Sequence, residues 1–308
     1  MITLLLVGLV FAYVSPGRVL QSLKLLHWQT ILLVLALSTF FNIFIYADRW
    51  RLALKAIGIR IPLKEIALVH AGTGPYRLLF PIQTGELVSA LVLAQRNQAK
   101  VGHVLGTVLY NKYLTLMATL ILLAAAVLID FPTEASTLKW TAGFGIAVLL
   151  GFASLEIRAV RNLLVRGATR LNLSLGEFTP RLLAAFEQMP ARSKIGLLLY
   201  TLFFQFSEVV VCYFLFRDLG IHLPFARLVA YVQLMILISS LPISIAGVGP
   251  REHSAFLLLA AAASAEAAVA AGFAFSFFEY LWPMILGLPL TGVLGVGVIR
   301  KWLGEKKE

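Results

Sequence analysis

The sequence predicts an all-α polytopic membrane protein with about six full spans and two re-entrant, broken helical hairpins arranged as inverted-topology repeats. Composition is the first observation, because the 308 residues are 60% hydrophobic and only 13% charged. Their mean hydropathy is +0.89. The other observations are a series of long apolar segments and two Pro- and Gly-containing breaks within them. We therefore expect residues 1–308 to form a single integral membrane domain.

The apolar segments give the predicted order of the helices. Residues 2–14 are interpreted as a short first span, because no basic region precedes them and no small-residue cleavage site follows. Residues 266–299 are long for one crossing, so either Pro283 kinks one span or the segment makes two short crossings. The eight segments lie at roughly 2–14, 28–47, 64–80, 101–129, 138–155, 195–216, 225–241 and 266–299.

The stretch LPISIAGVGPRE, residues 241–252, interrupts apolar sequence on both sides. Pro and Gly prevent one regular helix here, and unpaired backbone groups are costly in hydrocarbon. Arg251 and Glu252 follow the break, and ionisable residues at membrane depth indicate a functional site. The alternative is a surface loop with a solvated Arg–Glu pair.

A second break, FPIQTGE at residues 80–86, lies in a unit that is basic at both ends. The simplest topology lets residues 64–100 enter from the cytoplasm, turn at PIQTG within the membrane and return.

The distribution of Lys and Arg predicts the orientation. Of 26 such residues, 18 fall in four stretches that we assign to the cytoplasm, and five fall in the three outer stretches. Positive residues accumulate on the cytoplasmic side, so both termini are expected inside a bacterial or archaeal cytoplasmic (inner) membrane. This clustering also excludes nucleic acid as the reason for the net charge of +11. The cytoplasmic stretches are 48–65, 96–100, 156–194 and 300–308, and the outer stretches are 15–27, 130–139 and 217–227.

An internal repeat accompanies the two breaks. KAIGIRIPL at 55–63 matches RDLGIHLPF at 217–225, and each is followed by a proline, a break and a helix that opens with a glutamate. The repeats extend over roughly 28–129 and 195–300, linked by 130–194 with its basic cytoplasmic stretch 156–194. The Lys and Arg count gives the two repeats opposite orientations in the membrane. Inverted repeats of this kind are an architecture of secondary transporters, whose substrate site lies at the broken helices.

On ADRWRLALKAIG, FPIQTGE and LPISIAGVGPRE, the chain resembles the transmembrane, or flippase, domain of the lysylphosphatidylglycerol synthase family, also called the multiple peptide resistance factor family. The resemblance covers about residues 28–300. It implies an inner-membrane protein that moves a lipid between leaflets, without the aminoacyl-transferase domain of the full-length synthases. The chain departs from the family pattern at Ser89 and at Phe278-Glu279-Tyr280, where basic residues are common.

The candidate substrate-binding residues are polar side chains in and near the breaks. Arginine offers a bidentate donor fork to phosphate, and a helix N-terminus adds N–H groups. The alternative roles are capping of helix starts by the glutamates and snorkelling by the lysine. The candidates are Arg77, Gln83, Thr84, Glu86, Lys112, Ser244, Arg251 and Glu252.

Glu208 and Glu279 are further candidates, either as proton carriers or as charge partners for Lys112 and Arg251. Gln205 lies on the same helical face as Glu208. The five histidines show no ligand spacing, so neither a metal site nor a cofactor is predicted.

We expect the partners to be membrane lipids with an anionic headgroup. The sequence leaves open whether the protein also forms a homo-oligomer. The expected function is a lipid translocator for an anionic glycerophospholipid or polyprenyl lipid. The alternatives are an ion- or proton-coupled transporter of a small polar solute and a membrane enzyme acting on lipid. No catalytic constellation at credible spacing supports the enzyme, so we predict that the protein is not one.

Overall fold

The computed structural model describes residues 2–76, 85–130, 150, 154–160, 162–163, 186–240 and 247–302. Within these residues every regular element is a helix. In the first half they are α1 (Ile2–Tyr13), α2 (Pro16–Leu23), α3 (Trp28–Thr39), a first π-turn (Phe40–Ile45), α4 (Tyr46–Ala56), α5 (Leu63–Thr73), α6 (Gly85–Arg96) and α7 (Val101–Asp130). The second half has α8 (Ala191–Asp218), α9 (Phe225–Ser239), α10 (Pro250–Leu259), α11 (Ala265–Ser276), a second π-turn (Phe277–Leu281) and α12 (Trp282–Trp302).

Among the described residues, four helical runs are long and apolar enough to cross a membrane: Trp28–Ala56, Val101–Asp130, Ala191–Asp218 and Ala265–Gly292. The all-α membrane class is therefore confirmed. The count of about six spans and the re-entrant hairpins stay predictions, because most of 138–155 and of both breaks lies outside the described residues.

The first two apolar segments form helices. Helix α1 covers the segment 2–14 and packs against α10. Its 12 residues, at about 1.5 Å each, are shorter than the hydrocarbon core, so the short first span stays a prediction. The helix that contains the second apolar segment continues beyond residue 47 through its charged end to Ala56.

The last apolar segment is one continuous helical run. It passes from α11 through the second π-turn into α12 without interruption. This arrangement removes the alternative of two short crossings. Pro283 lies two residues after the end of the π-turn, in the first turn of α12, and Pro289 lies further along α12.

The repeated nonapeptides fold into the same helix end. Gly58 and Gly220 have positive φ angles of 87° and 74°. In each copy the next residue's N–H bonds back across the cap, from Ile59 to the Leu54 carbonyl at 2.9 Å and from Ile221 to the Phe216 carbonyl at 2.8 Å. These are Schellman caps, in which glycine takes the left-handed conformation without a Cβ penalty. A proline then precedes the next helix in both copies.

The two halves pack reciprocally. Helix α7, which ends the first half, packs along α9, the first short helix of the second half. Helix α12, which ends the second half, packs along α5, the first short helix of the first half. The α5–α12 contact is close, because a Cβ placed on Gly287 would lie 1.9 Å from the Ala71 carbonyl oxygen. The first short helix of each half thus packs against the closing helix of the other half.

Candidate functional site

A polar cavity of about 310 Å³ lies between the two halves. Its lining comes from both π-turns and from α4, α5, α6, α7, α8, α9 and α12. Hydrophobic walls would suffice for packing, whereas this lining carries five formally charged side chains. The charged residues are Arg49, Glu86, Lys112, Glu208 and Glu279.

Arg49 is the most deeply buried cation of the lining, with 2% of its surface exposed. Its Nη1 donates to Thr115 Oγ1 at 3.2 Å. The guanidinium carbon lies 5.0 Å from the ring centroid of Tyr46 and 5.1 Å from that of Phe204. The Nε atom has no hydrogen-bond partner among the described residues. Buried polar groups are normally bonded, so this donor is available to a ligand or to water.

Lys112 and Glu86 form an ion pair across the cavity wall. The Nζ atom lies 3.0 Å from Glu86 Oε2, and the two side chains are 36% and 16% exposed. Glu86 comes from the first turn of α6, directly after the first break, and Lys112 comes from the middle of α7. The structure thus brings together two of the predicted substrate-binding residues, and it pairs Lys112 with Glu86 instead of with Glu208 or Glu279.

The π-turns meet at the cavity. Asn42, in the first turn, donates from Nδ2 to Glu279 Oε2, in the second, at 2.8 Å. The hydroxyl of Ser38 donates to the carbonyl of Phe278, and the indole N–H of Trp282 donates to Thr39 Oγ1 at 2.9 Å. Single π-turns often occur at functional sites because the extra residue re-aims side chains. Here they turn an amide and a carboxylate toward the same space.

Glu208 and Gln205 enter the cavity from α8, as their spacing on one helical face predicted. Gln205 Nε2 donates to Thr119 Oγ1 of α7 at 2.7 Å. Glu208 is 7% exposed, and its Oε2 has no hydrogen-bond partner in the described part of the chain. Both predicted proton or charge partners, Glu208 and Glu279, therefore line one cavity.

Arg251 and Glu252 lie behind the cavity and are not part of its lining. The Glu252 carboxylate accepts from the backbone N–H of Gly249 at 2.6 Å and from the Ser276 hydroxyl. The first bond confirms the predicted capping of the helix start by Glu252. Arg251 Nη1 donates to Ser276 Oγ at 2.8 Å, and its guanidinium lies 3.8 Å from the ring centroid of Tyr280, which does line the cavity. These residues form a buried support for the second π-turn.

The remaining predicted residues cannot be placed. Arg77, Gln83, Thr84 and Ser244 lie outside the described residues. Ser89, where a basic residue was expected from the family pattern, is buried and hydrogen-bonded to the hydroxyl of Thr73. A serine at this position therefore joins α5 to α6.

Sequence reasoning missed Arg49. The charge pattern counts it among the basic residues of the cytoplasmic stretch 48–65. The structure instead buries Arg49 and also its neighbour Trp50, whose indole N–H donates to Thr107 Oγ1 at 2.9 Å. A signal was present, because Asn42, Tyr46 and Arg49 recur at helical spacing as a polar stripe. Further polar lining residues that we did not predict include Tyr46, His70, Thr115, Thr119, Ser239 and Ser240.

The fold and the cavity define a polytopic helical membrane protein with a charged chamber enclosed by both halves of the chain. The family Lysylphosphatidylglycerol synthase TM region matches residues 1–287, and the chain belongs to that family. A comparison with curated proteins found no match. Family membership confirms the resemblance seen in the sequence and connects the chain with membrane lipids.

Proposed function

We propose that this protein is a lipid translocator that moves an anionic lipid between the leaflets of the membrane, with the headgroup bound in the cavity. One observation carries the proposal: a buried guanidinium with an unpartnered Nε faces a polar chamber in a protein of a lipid-related family. The lipid class is a glycerophospholipid or a polyprenyl lipid with a phosphate.

Arg49 and Lys112 supply the two cations for that phosphate. A guanidinium can bind two phosphate oxygens at once, whereas an ammonium acts as a point charge. The aromatic faces of Tyr46 and Phe204 hold the Arg49 guanidinium in position. Arg49 thus takes the phosphate-binding role that the sequence suggested for Arg251.

The architecture supports movement between leaflets. Equivalent Schellman caps in the two halves and the exchange of packing partners, α7 with α9 and α12 with α5, are consistent with a pair of repeats. In an inverted pair, rocking of one half against the other exposes a central site to each side in turn. We therefore propose alternating access around the cavity, and a transport role without enzymatic chemistry.

The second candidate is an ion- or proton-coupled transporter of a small polar solute. Two buried carboxylates in the chamber favour it, and the volume of about 310 Å³ is in the range of small-molecule sites. A lipid path requires a lateral opening between helices for the acyl chains, whereas a solute path does not.

The decisive experiment measures movement of a fluorescent phosphatidylglycerol across vesicles that contain the purified full chain. We expect Arg49→Gln to slow movement about tenfold or more, because a charge-assisted bond is worth roughly 1.5–3 kcal/mol. Arg49→Lys should recover only part of the rate, because the donor fork is lost. Arg51→Gln is the matched control, since Arg51 pairs with Asp48 at 2.6 Å outside the cavity.

Unchanged lipid movement in a folded Arg49→Gln protein would contradict the proposal. Uptake of free glycerophosphoglycerol, without movement of the intact lipid, would instead select the solute transporter.

Cysteine labelling tests the inverted arrangement separately. Cys212 is buried and is first replaced. A cysteine at Gln83 should then label from the cytoplasm and a cysteine at Ser244 from outside. Labelling of both from the same side would contradict inverted repeats.

A further inference from the structure

Among the described residues of the cavity lining, Glu208 and Glu279 are the carboxylates that form no ion pair, whereas Glu86 pairs with Lys112. They are 7% and 5% exposed, and each has one carboxylate oxygen with no hydrogen-bond partner among the described residues. Asn42 donates to the other oxygen of Glu279 at 2.8 Å. Both unpartnered oxygens therefore belong to buried side chains that line one chamber.

The nearby cations are held by other groups. Lys112 pairs with Glu86 at 3.0 Å, Arg49 donates to Thr115, and Arg251 donates to Ser276. In the described part of the chain, neither Glu208 nor Glu279 has an ion pair within 4.0 Å. Two ionised carboxylates in such a place would suffer desolvation and mutual repulsion.

Other charged and titratable groups lie on the elements packed around this pair. The second π-turn adds Tyr280, and α8 adds Cys212, a buried thiol. His70 of α5 stacks on the Tyr46 ring at 4.1 Å. The fixed charges are Arg49 from α4, Glu86 from α6, Lys112 from α7 and Arg251 from α10.

We propose that Glu208 and Glu279 form a proton-binding site inside the cavity, and that its protonation prepares the cavity for an anionic headgroup. With all groups ionised, the described residues of the lining set three carboxylates against two cations, which repels a phosphate. Protons taken from water onto Glu208 and Glu279 leave the Glu86–Lys112 pair and an uncompensated Arg49. The chamber then has a net positive charge that suits a phosphodiester monoanion.

Proton and headgroup binding are therefore linked. Linkage is reciprocal, so a bound anionic headgroup raises the proton affinity of the glutamates by the same factor by which the protons raise headgroup affinity. Lipid movement then follows a proton gradient. The identity of the coupled ligand rests on the proposed function, whereas the proton site itself does not.

Infrared spectroscopy of the purified full chain in detergent tests the proton site without any transport. We expect a protonated-carboxyl C=O band at neutral pH that weakens in Glu208→Gln and in Glu279→Gln and is lost in the double variant. Glu266→Gln is the control, because Glu266 pairs with the exposed Arg18 at 3.3 Å. Absence of the band from the folded wild-type protein across the neutral range would overturn the inference, and so would its persistence in the double variant. The wild-type titration decides even where a variant does not fold.

Two further measurements test the coupling. In weakly buffered solution, glycerophosphoglycerol should cause proton uptake by the wild-type protein and not by the double variant; proton release would overturn the inference. In vesicles, an imposed pH gradient should accelerate labelled phosphatidylglycerol movement in the wild type only. Lipid movement that does not depend on the pH gradient would contradict the coupling between proton and lipid, and it would still support the proposed lipid translocator. A protonated-carboxyl band from the two glutamates without any lipid movement would contradict the proposed translocator, and it would still support the proton site.

Discussion

Glu86 and Glu252 hold equivalent places in the sequence, each in the first turn of the helix that follows a break, but their surroundings differ. Glu86 faces the cavity and pairs with Lys112, whose side chain is 36% exposed. Glu252 is 0% exposed, closes the cap at Gly249 and shares Ser276 with Arg251. The glutamate after the first break thus lines the chamber, and the glutamate after the second break lies in the support behind it.

The difference shows that the local motif places a carboxylate at a helix start, whereas the helices packed around that carboxylate determine whether it lines the cavity or supports the fold. At a helix start, free N–H groups favour any glutamate. Around Glu252, Ser276 of α11 hydrogen-bonds to both Glu252 and Arg251, and Tyr280 of the second π-turn packs on the Arg251 guanidinium. Around Glu86, α7 supplies a partly exposed lysine next to open space. Variants at the two breaks should therefore separate stability from transport.

The largest expected effect is on stability at the second break. Glu252→Gln removes the buried carboxylate that accepts from the Gly249 N–H and from Ser276, to which Arg251 also donates. Hydrogen bonds to a charged group are worth roughly 1.5–3 kcal/mol each, so this variant should lose the most stability. Adding Arg251→Gln should recover part of that loss. Glu86→Gln, the matched change at the first break, should cost about 1 kcal/mol or less. Thermal unfolding in detergent measures all three.

A folded Arg251→Gln protein that has lost lipid movement would contradict a purely supporting role for Arg251. It would give Arg251 a direct part in substrate binding and would remove the proposed contrast between the two breaks.

A smaller loss of stability is expected for Gly249→Leu. Gly249 has a φ angle of 98° and ψ of −66°, a conformation that L side chains rarely adopt, so strain of about 1–3 kcal/mol is expected. Gly196→Leu is the control, because a Cβ at Gly196 meets nothing within 4 Å and leucine favours a helix. Equal melting temperatures for the two variants would mean that the second break does not need this backbone geometry.

The smallest change in stability is expected for Lys112→Gln. Its ion pair with Glu86 is partly exposed, and such pairs contribute about 0–1 kcal/mol. Lipid movement should nevertheless fall, because the chamber loses one of its two cations. A large drop in melting temperature would assign Lys112 the same supporting role as Arg251.

Sequence alone predicted much of the fold because membrane helices follow local rules. Apolar length predicted α7 and α8, since hydrocarbon requires internally bonded helices of that size. The repeated glycines predicted paired helix ends, and Gly58 and Gly220 form the same cap. The breaks themselves stay predictions for the most part, because their centres lie outside the described residues.

Counting charges along the sequence did not predict the burial of Arg49, whose side chain lies inside the helical bundle. Arg49 lies among Asp48, Arg51 and Lys55, so its sequence neighbours indicate a solvated membrane edge. Thr115, Phe204 and Tyr46 surround it instead. Two of those partners come from helices far away in the chain, and hydropathy of one segment contains no information about them.

By itself the sequence determined the class of protein, its family and the local helix caps, because hydrophobic length, motif residues and backbone preferences are properties of short segments. Only the tertiary structure decided which charges share the cavity. It separated Glu86 from Glu252, brought Asn42 to Glu279 through two π-turns, and placed Arg49 at the chamber. The physical reason is that the burial and pairing of a charge depend on whichever helices pack against it, and those helices are distant in sequence.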